Sequence, residues 1–359
     1  MAYIMFSKHN RKFHTSPDVT AITPLLIGII IVTGITLSAI PLALNRDDVV
    51  MAQVQQQQQL QVNGNSFQLG NMTFSHNMAS VNGIQLHYVI GGHGPPVVLL
   101  HGWPETWYEW HKVMPALAKN YTVIAPDLRG LGDSSKPPTG YDTKTVAEDI
   151  HQLVTKLGFK TIFLVGHDIG TLVSYPYAAA YPSEVKKLAV MESPIPGFLP
   201  PGKLPSWWNI LNQVPDVPEF LVKGKEREYL SWFYQNEAFN SAAITQDAID
   251  QYVSHYSAPG GMRAGFEYYK AVPQDTIQNL NFSKTKLTMP VLALGAGYHK
   301  YEGNVNLPLD IYSMKKLAQN VTGIILPNTG HWIPEEQPNF IIKLLNNFFN
   351  SNSTTKSSK

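Results

Sequence analysis

The 359-residue chain contains no cysteine, so disulfides, thiolate nucleophiles and cysteine-bound metals are excluded together. Neither charge sign is in excess: 27 lysines and arginines stand against 26 acidic residues, a net charge of +1. That balance gives no electrostatic case for nucleic acid or an anionic surface as partner. Twelve histidines occur, yet no HExxH pattern or paired-ligand spacing marks a zinc site. What the chain does have is apolar residues, 44% of the total, enough for one large core.

Part of that apolar content is a single run. No charged residue occurs from Val19 to Asn45, and Leu25–Leu44 reads LLIGIIIVTGITLSAIPLAL, long enough to cross a bilayer of about 30 Å. Lys8, Arg11 and Lys12 precede it. Residues 1–48 therefore predict a signal anchor, with 22–44 in the membrane and the remainder exported. Cleavage near Ala52 would instead release a secreted protein. Residues 49–75 begin with a Gln-rich stretch that reads as a flexible tether, and 351–359 read as a disordered tail. Asn-x-Ser/Thr triplets begin at Asn71, Asn281, Asn320 and Asn352, weak support for export.

From residue 76 onward short apolar runs alternate with helical periods. PVVLLHG, YTVIAPD, TIFLVGH, KKLAVMES, MPVLALGAG and GIILPNTGH are continuous β-branched and leucine runs, the pattern of strands buried on both faces. Val146, Ile150, Val154 and Leu157 repeat at helical spacing between two of them. The fold class predicted is α/β, a mostly parallel doubly wound sheet, from residues 76–193 and 276–350. Residues 194–275 carry aromatics and helical signals but no strand pattern. They predict a helical cap over the carboxyl edge of the sheet, where open α/β sheets bind ligands.

Strand ends then supply the chemistry. In LVGHDIG an apolar strand turns sharply into a helix, with glycines on both sides of Asp168. Glu192 ends the next strand and His331 follows the last one. A histidine needs one carboxylate to fix its orientation, so Asp168 and Glu192 cannot both serve it. Asp168 as nucleophile and Glu192 as orienting acid uses every part; Glu302 is a later competitor for the acid. A carboxylate, with an ordinary pKa of about 3.9, is ionised at neutral pH and attacks without a base. It suits displacement at a saturated carbon, giving an alkyl–enzyme ester that a His331-activated water hydrolyses. The N–H groups of Trp103 and Ile169 would hold the oxyanion formed on the way. Only water is consumed, and no cofactor is implied. Each feature also has a structural reading: an aspartate before a helix is often its cap, and His101 and His167 beside tight turns read as structural.

HGWPETWYEW, APDLRGLGDSSKP, VGHDIG, MESPIPG and GHWIPEE resemble the epoxide hydrolase branch of the α/β-hydrolase superfamily, and SAPGGMRAGFEYYKAVPQD resembles its cap and that of haloacetate dehalogenases. The likeness covers about Ser80 to Phe349. It implies the α/β-hydrolase fold, hydrolysis of an epoxide to a vicinal diol, and Tyr269 as the cap residue that assists ring opening. Tyr268 is expected to pack elsewhere. The family's second cap donor is a Tyr or His, and this sequence has Trp207 and Trp208 there. An indole donates a hydrogen bond but is no acid. Those tryptophans predict a pocket for a hydrophobic epoxide and leave haloalkane or haloacid dehalogenation open as a second reading. Against it, Ile169 lacks the donor side chain that dehalogenases carry after the nucleophile. A non-catalytic ligand binder on the same fold is the third.

Overall fold

The computed structural model describes residues 65–299, 303–304 and 308–351. The anchor segment near 22–44, the Gln-rich stretch to residue 64, Glu302 and the tail from 352 lie outside them. Among the described residues no helix is long and apolar enough to cross a membrane.

Nine strands form one sheet in the order β1-β2-β3-β5-β4-β6-β7-β8-β9. They are β1 (Asn65–Leu69), β2 (Met72–Val81), β3 (Ile84–Gly92), β4 (Pro96–Leu100), β5 (Thr122–Pro126), β6 (Ile162–His167), β7 (Val185–Met191), β8 (Val291–Ala296) and β9 (Val321–Leu326). The first three are antiparallel, and β4 to β9 run parallel. Asn82 and Gly83 join β2 to β3 with φ of 42° and 77°, the left-handed pair that a two-residue hairpin turn requires.

The sheet begins earlier than the polar sequence predicts. Residues 65–69 and 72–75, read as tether, are strand: Phe67 lies 5.6 Å from the Trp107 ring, and Phe74 is buried. One aromatic in each short polar run is enough to seat an edge strand, and that signal is below what periodicity detects.

The central parallel strands are mostly apolar because helices cover both faces. Val98 and Leu100 enter one core cluster and Val97 and Leu99 the other; Leu164 and Val165 divide in the same way. On the first face lie α1 (Thr143–Lys156), capped by Asp142, and α2 (Ile169–Ala180). On the second lies α9 (Pro338–Asn350), burying Ile341, Leu345 and Phe349 at helical spacing.

Between β7 and β8 the cap comprises α3 (Trp207–Asn212), α4 (Val217–Val222), α5 (Glu226–Asn236), α6 (Gln246–Ser257) and α7 (Gly261–Phe282); α8 (Leu309–Leu317) then precedes β9. Helix α7 continues past Asp275 because Pro273 is accommodated within it. Buried tyrosines latch the cap to the core. Tyr234 donates to the Pro104 carbonyl, Tyr252 to Glu335, Tyr256 to the Glu105 carbonyl and Tyr268 to the Arg129 carbonyl. Each contributes about 1 kcal/mol as a hydrogen bond beyond the area its ring buries.

Candidate active site

Parallel strands deliver their carboxyl ends to one edge, and the candidate residues meet there. Asp168 follows β6 with φ 48° and ψ −118°, a conformation L-residues rarely adopt. Its neighbours make the turn possible. A Cβ on Gly170 would stand 2.1 Å from the Leu100 carbonyl oxygen, and one on Gly102 would stand 2.5 Å from the Asp168 Cβ. Glycine at both positions lets the loop after β4 close against the elbow, and the Trp103 N–H donates to Asp168 Oδ1 at 2.9 Å. The N–H of Ile169 is the first of α2, beside the same carboxylate.

The other oxygen, Oδ2, faces His331 Nε2 at 3.6 Å, and His331 Nδ1 stands 3.4 Å from Glu192 Oε2. Glu192 is held in turn, its Oε1 accepting the Ala296 N–H of β8. Burial pushes the His331 pKa down, but the hydrogen bond and charge of Glu192, with Asp168, carry it above the ordinary value. The backbone around His331 is pinned from both sides: its N–H donates to the Glu237 carbonyl and its own carbonyl accepts from His167 Nε2, both at 2.8 Å. His101 is occupied structurally, its Nε2 accepting the Leu128 N–H.

Tyr269 approaches from α7. A Cβ on Gly265 would meet the Trp103 indole nitrogen at 2.3 Å, so glycine there lets the ring lie on the helix. One turn later Tyr269 meets the same ring edge-on at 5.3 Å. Burial and the charge of Asp168 push its phenol well above 10. Tyr268, about 100° around the helix, points away to Arg129. Trp207 and Trp208 line a cavity of about 790 Å³ with Trp232, and it reaches Asp168, Glu192 and His331.

Three groups near the site carry no sequence signal. Asp310, at the start of α8, is buried beside Glu192, and burial together with that charge holds its carboxyl well above the usual range. Asn212 and Tyr229 lie in the cap near Tyr269, with the Tyr229 O–H donating to Asn212 Oδ1 at 2.8 Å. Behind the site, Glu105, Glu109 and His167 bring ligand atoms within 4.8 Å of one another in full burial; His87, Asp127 and Asp133 form a similar group. These are the described clusters whose donor sets match a metal ion. In the second, Asp127 is already engaged by His87 at 2.7 Å and by the Trp107 and Asp133 N–H groups.

Comparison with known proteins shows the family. The family model for the alpha/beta hydrolase fold matches residues 95–338. A soluble epoxide hydrolase of Corynebacterium sp. is 37% identical over 286 residues, 77% of this chain and 97% of that protein. A fluoroacetate dehalogenase of Burkholderia sp. is 33% identical over 189 residues, covering 49% of this chain and 60% of that one. The crystal structure of Cfl2 from Burkholderia cenocepacia superposes with a TM-score of 0.73 at 40% identity, over 77% of this chain and 96% of its own. The chain belongs to the α/β-hydrolase fold family, in its epoxide hydrolase branch.

Proposed function

We propose that this enzyme opens a hydrophobic epoxide to a vicinal diol through an ester on Asp168. The observation that carries the reading is the division of labour between the two carboxylate oxygens. Oδ1 is held by the Trp103 N–H, while Oδ2 stands free of backbone donors toward His331 and the cavity. In the first step Oδ2 attacks a ring carbon, the C–O bond breaks, and the ring oxygen takes a proton from Tyr269. In the second, His331 Nε2 removes a proton from water and the hydroxide adds to the Asp168 Cγ. The oxyanion on Oδ1 is held by the N–H groups of Trp103 and Ile169. Collapse breaks the ester C–O bond, and the departing alkoxide takes the imidazolium proton to leave as the diol; the proton left on the Asp168 carboxyl returns through water to the Tyr269 phenolate, and Glu192 stabilises the imidazolium formed on the way.

Trp207, Trp208 and Trp232 support an apolar substrate, since a pocket of this lining holds ligands by burial more than by polar contacts. The same tryptophans favour the second reading, dehalogenation, in which indole N–H groups would receive a halide. Intact mass of the His331→Gln variant separates them. A gain equal to a whole epoxide, lost when Asp168→Ala is added, supports ring opening; a gain equal to substrate minus hydrogen halide supports dehalogenation. No adduct with any compound, and an inactive wild type, would overturn both in favour of a binder.

In this proposal residues 22–44 anchor the chain, with the catalytic domain outside the cytoplasm, or are removed on secretion. Asn71, Asn281 and Asn320 are all exposed, so glycans there would not disturb the core. Protease protection of the full-length chain in sealed vesicles tests the orientation.

A further inference from the structure

The large apolar side chains that stay in water are concentrated on the cap. Of the fourteen exposed ones among the described residues, ten fall within 199–221 and 277–280. Leu204 is 80% exposed and Phe220 81%. Their spacing is helical, but the apolar side is turned outward. On α4, Val217, Phe220 and Leu221 form an exposed stripe, while Pro218 and Val222 face inward. Trp207 and Ile210 on α3, and Ile277 and Leu280 on α7, repeat the three-residue step. The three helices pack on one another, and Lys270 of α7 pairs with Glu219 of α4 at 2.9 Å. A Cβ on Gly197 would stand 3.6 Å from the Leu280 Cγ, so the chain leading to Leu199 lies against the end of α7. The stripes are neighbours, and together they make one apolar face rather than scattered single residues.

We propose that this face of the cap docks on the surface of a lipid bilayer, with Phe220 and Leu221 among the headgroups and the cavity opening toward the lipid. The inference deepens the reading given above, from which it takes the hydrophobic substrate and the membrane anchor.

Three observations select a bilayer as the occupant. The first is continuity with the site. Leu204 and Trp207 belong to the exposed face and also line the cavity that reaches Asp168 and His331. A hydrophobic epoxide partitions into lipid, so a cavity rimmed by this face takes it up without its crossing water. The second is charge. Lys223 and Lys225, both exposed, follow Phe220 and Leu221 within a few residues. Against them in 199–225 stands only Asp216, since Glu219 is paired with Lys270. Apolar anchors beside lysines suit a layer of anionic headgroups. The third is the length of chain outside the described residues. The apolar run ends at Leu44 and β1 begins at Asn65, with twenty residues between them. A segment of that length spans at most about 70 Å. An anchored chain therefore keeps the cap within reach of the bilayer and raises the effective concentration of a weak apolar contact.

The absence of cysteine makes the test direct, because a single thiol introduced by Phe220→Cys is labelled alone. The full-length enzyme carrying an environment-sensitive fluorophore there is added to phosphatidylcholine–phosphatidylserine vesicles. Met78→Cys on β2, also exposed, is the reference site. The label at 220 should shift its emission to the blue and be quenched by nitroxide lipids, and the label at 78 should do neither. Rates give a second reading. Phe220→Glu combined with Leu221→Glu should lower kcat/KM about tenfold for a long-chain epoxide dissolved in the vesicles, and change it less than about twofold for a short, water-soluble one. Emission at 220 that ignores the vesicles, or rates that fall equally for both epoxides, would overturn the inference. A blue shift that grows with protein density and escapes the nitroxide lipids would overturn it too, giving the face to a second copy of this chain. Carbonate extraction tests the anchor separately: a chain that carbonate releases, but whose label at 220 was quenched, loses the anchor and keeps the docking face. A wild type that turns over neither epoxide overturns ring opening, and the label at 220 then decides the docking alone.

Discussion

Glu109 offers the sharpest quantitative test of the electrostatics behind the site. It has no exposed surface, accepts the Gly102 N–H on Oε2 at 2.8 Å, and brings Oε1 to 3.2 Å from His167 Nδ1. Burial pushes its pKa up to about 8, against the hydrogen bonds from Glu105 and Gly102 that pull it down. An acid raised in this way binds its proton more tightly in the folded state. Its contribution to stability is therefore intact below the unfolded pKa, declines as pH rises, and levels off above the folded one. The decline is about 1.4 kcal/mol per pH unit, and from the ordinary value of 4.5 to about 8 it amounts to roughly 5 kcal/mol. Glu109→Gln removes the titration while keeping an acceptor for Gly102 and an N–H for His167. Urea unfolding of wild type and variant from pH 5.5 to 9 should diverge in the variant's favour at up to about 1.4 kcal/mol per unit, then run parallel above about pH 8. Parallel curves throughout would refute the reasoning, and so would divergence in the opposite sense.

Three further outcomes follow from the same geometry. Glu192→Gln should move the acidic limb of ester hydrolysis to lower pH, since Glu192 is what raises His331, and slow that step by about 10²–10⁴-fold; a pH-rate profile of ester decay reads both. Tyr268→Phe should cost about 1 kcal/mol of stability and leave ester formation unchanged, whereas Tyr269→Phe should slow formation by at least about 100-fold with little effect on stability; paired melts and single-turnover rates separate the two. Asp127→Asn should destabilise by about 3–5 kcal/mol near neutral pH, because it breaks the buried contact with His87. Against the cost of burial, His87 draws Asp127 down to about 2, so its stabilisation is present above the ordinary value of 3.8 and lost as pH falls toward about 2; acid unfolding should show the gap between wild type and variant closing there.

The catalytic edge of the sheet was legible because its signals are local. Continuous apolar runs mark the parallel strands, and glycines at fixed offsets mark the elbow, so Asp168, Glu192 and His331 could be named from strand ends and chain order, and they do meet in space. The separation of Tyr268 from Tyr269 was also legible, since helical geometry turns adjacent residues apart. What escaped depends on contacts between distant elements. The edge strand β1 is polar but for Phe67 and Leu69, and its partner aromatics lie in β2 and after β4. Asn212 and Tyr229 are 17 residues apart in a segment crowded with aromatics, and nothing in either neighbourhood distinguishes a latch from a participant. Asp310 joins Glu192 only because α8 starts against Gly295 of β8, the strand next to β7, a consequence of sheet order rather than of motif.

The division between core and cap bears on how one family contains both epoxide hydrolases and dehalogenases. In the mechanism proposed here, Asp168, Glu192, His331 and the N–H of Trp103 act on the carboxylate and on the water, and none of them senses what departs from the substrate carbon. The leaving group is met by the cap. An alkoxide must acquire a proton, and the cap answers with a phenol whose pKa stands well above 10. Such a phenol holds its proton until an alkoxide develops beside it. A halide needs donors that keep their protons, which is what an indole N–H provides. This chain carries both kinds of donor in its cap, the tryptophans at the cavity and the Tyr269 phenol against Trp103, so in the proposed mechanism the reaction depends on which group the bound substrate presents to Tyr269. In that mechanism, loss of Tyr269 as an acid lowers epoxide opening and leaves halide departure unaffected. The ratio of the two alkylation rates, measured in the wild type and in Tyr269→Phe, is thus a more sensitive readout of the cap than either rate alone.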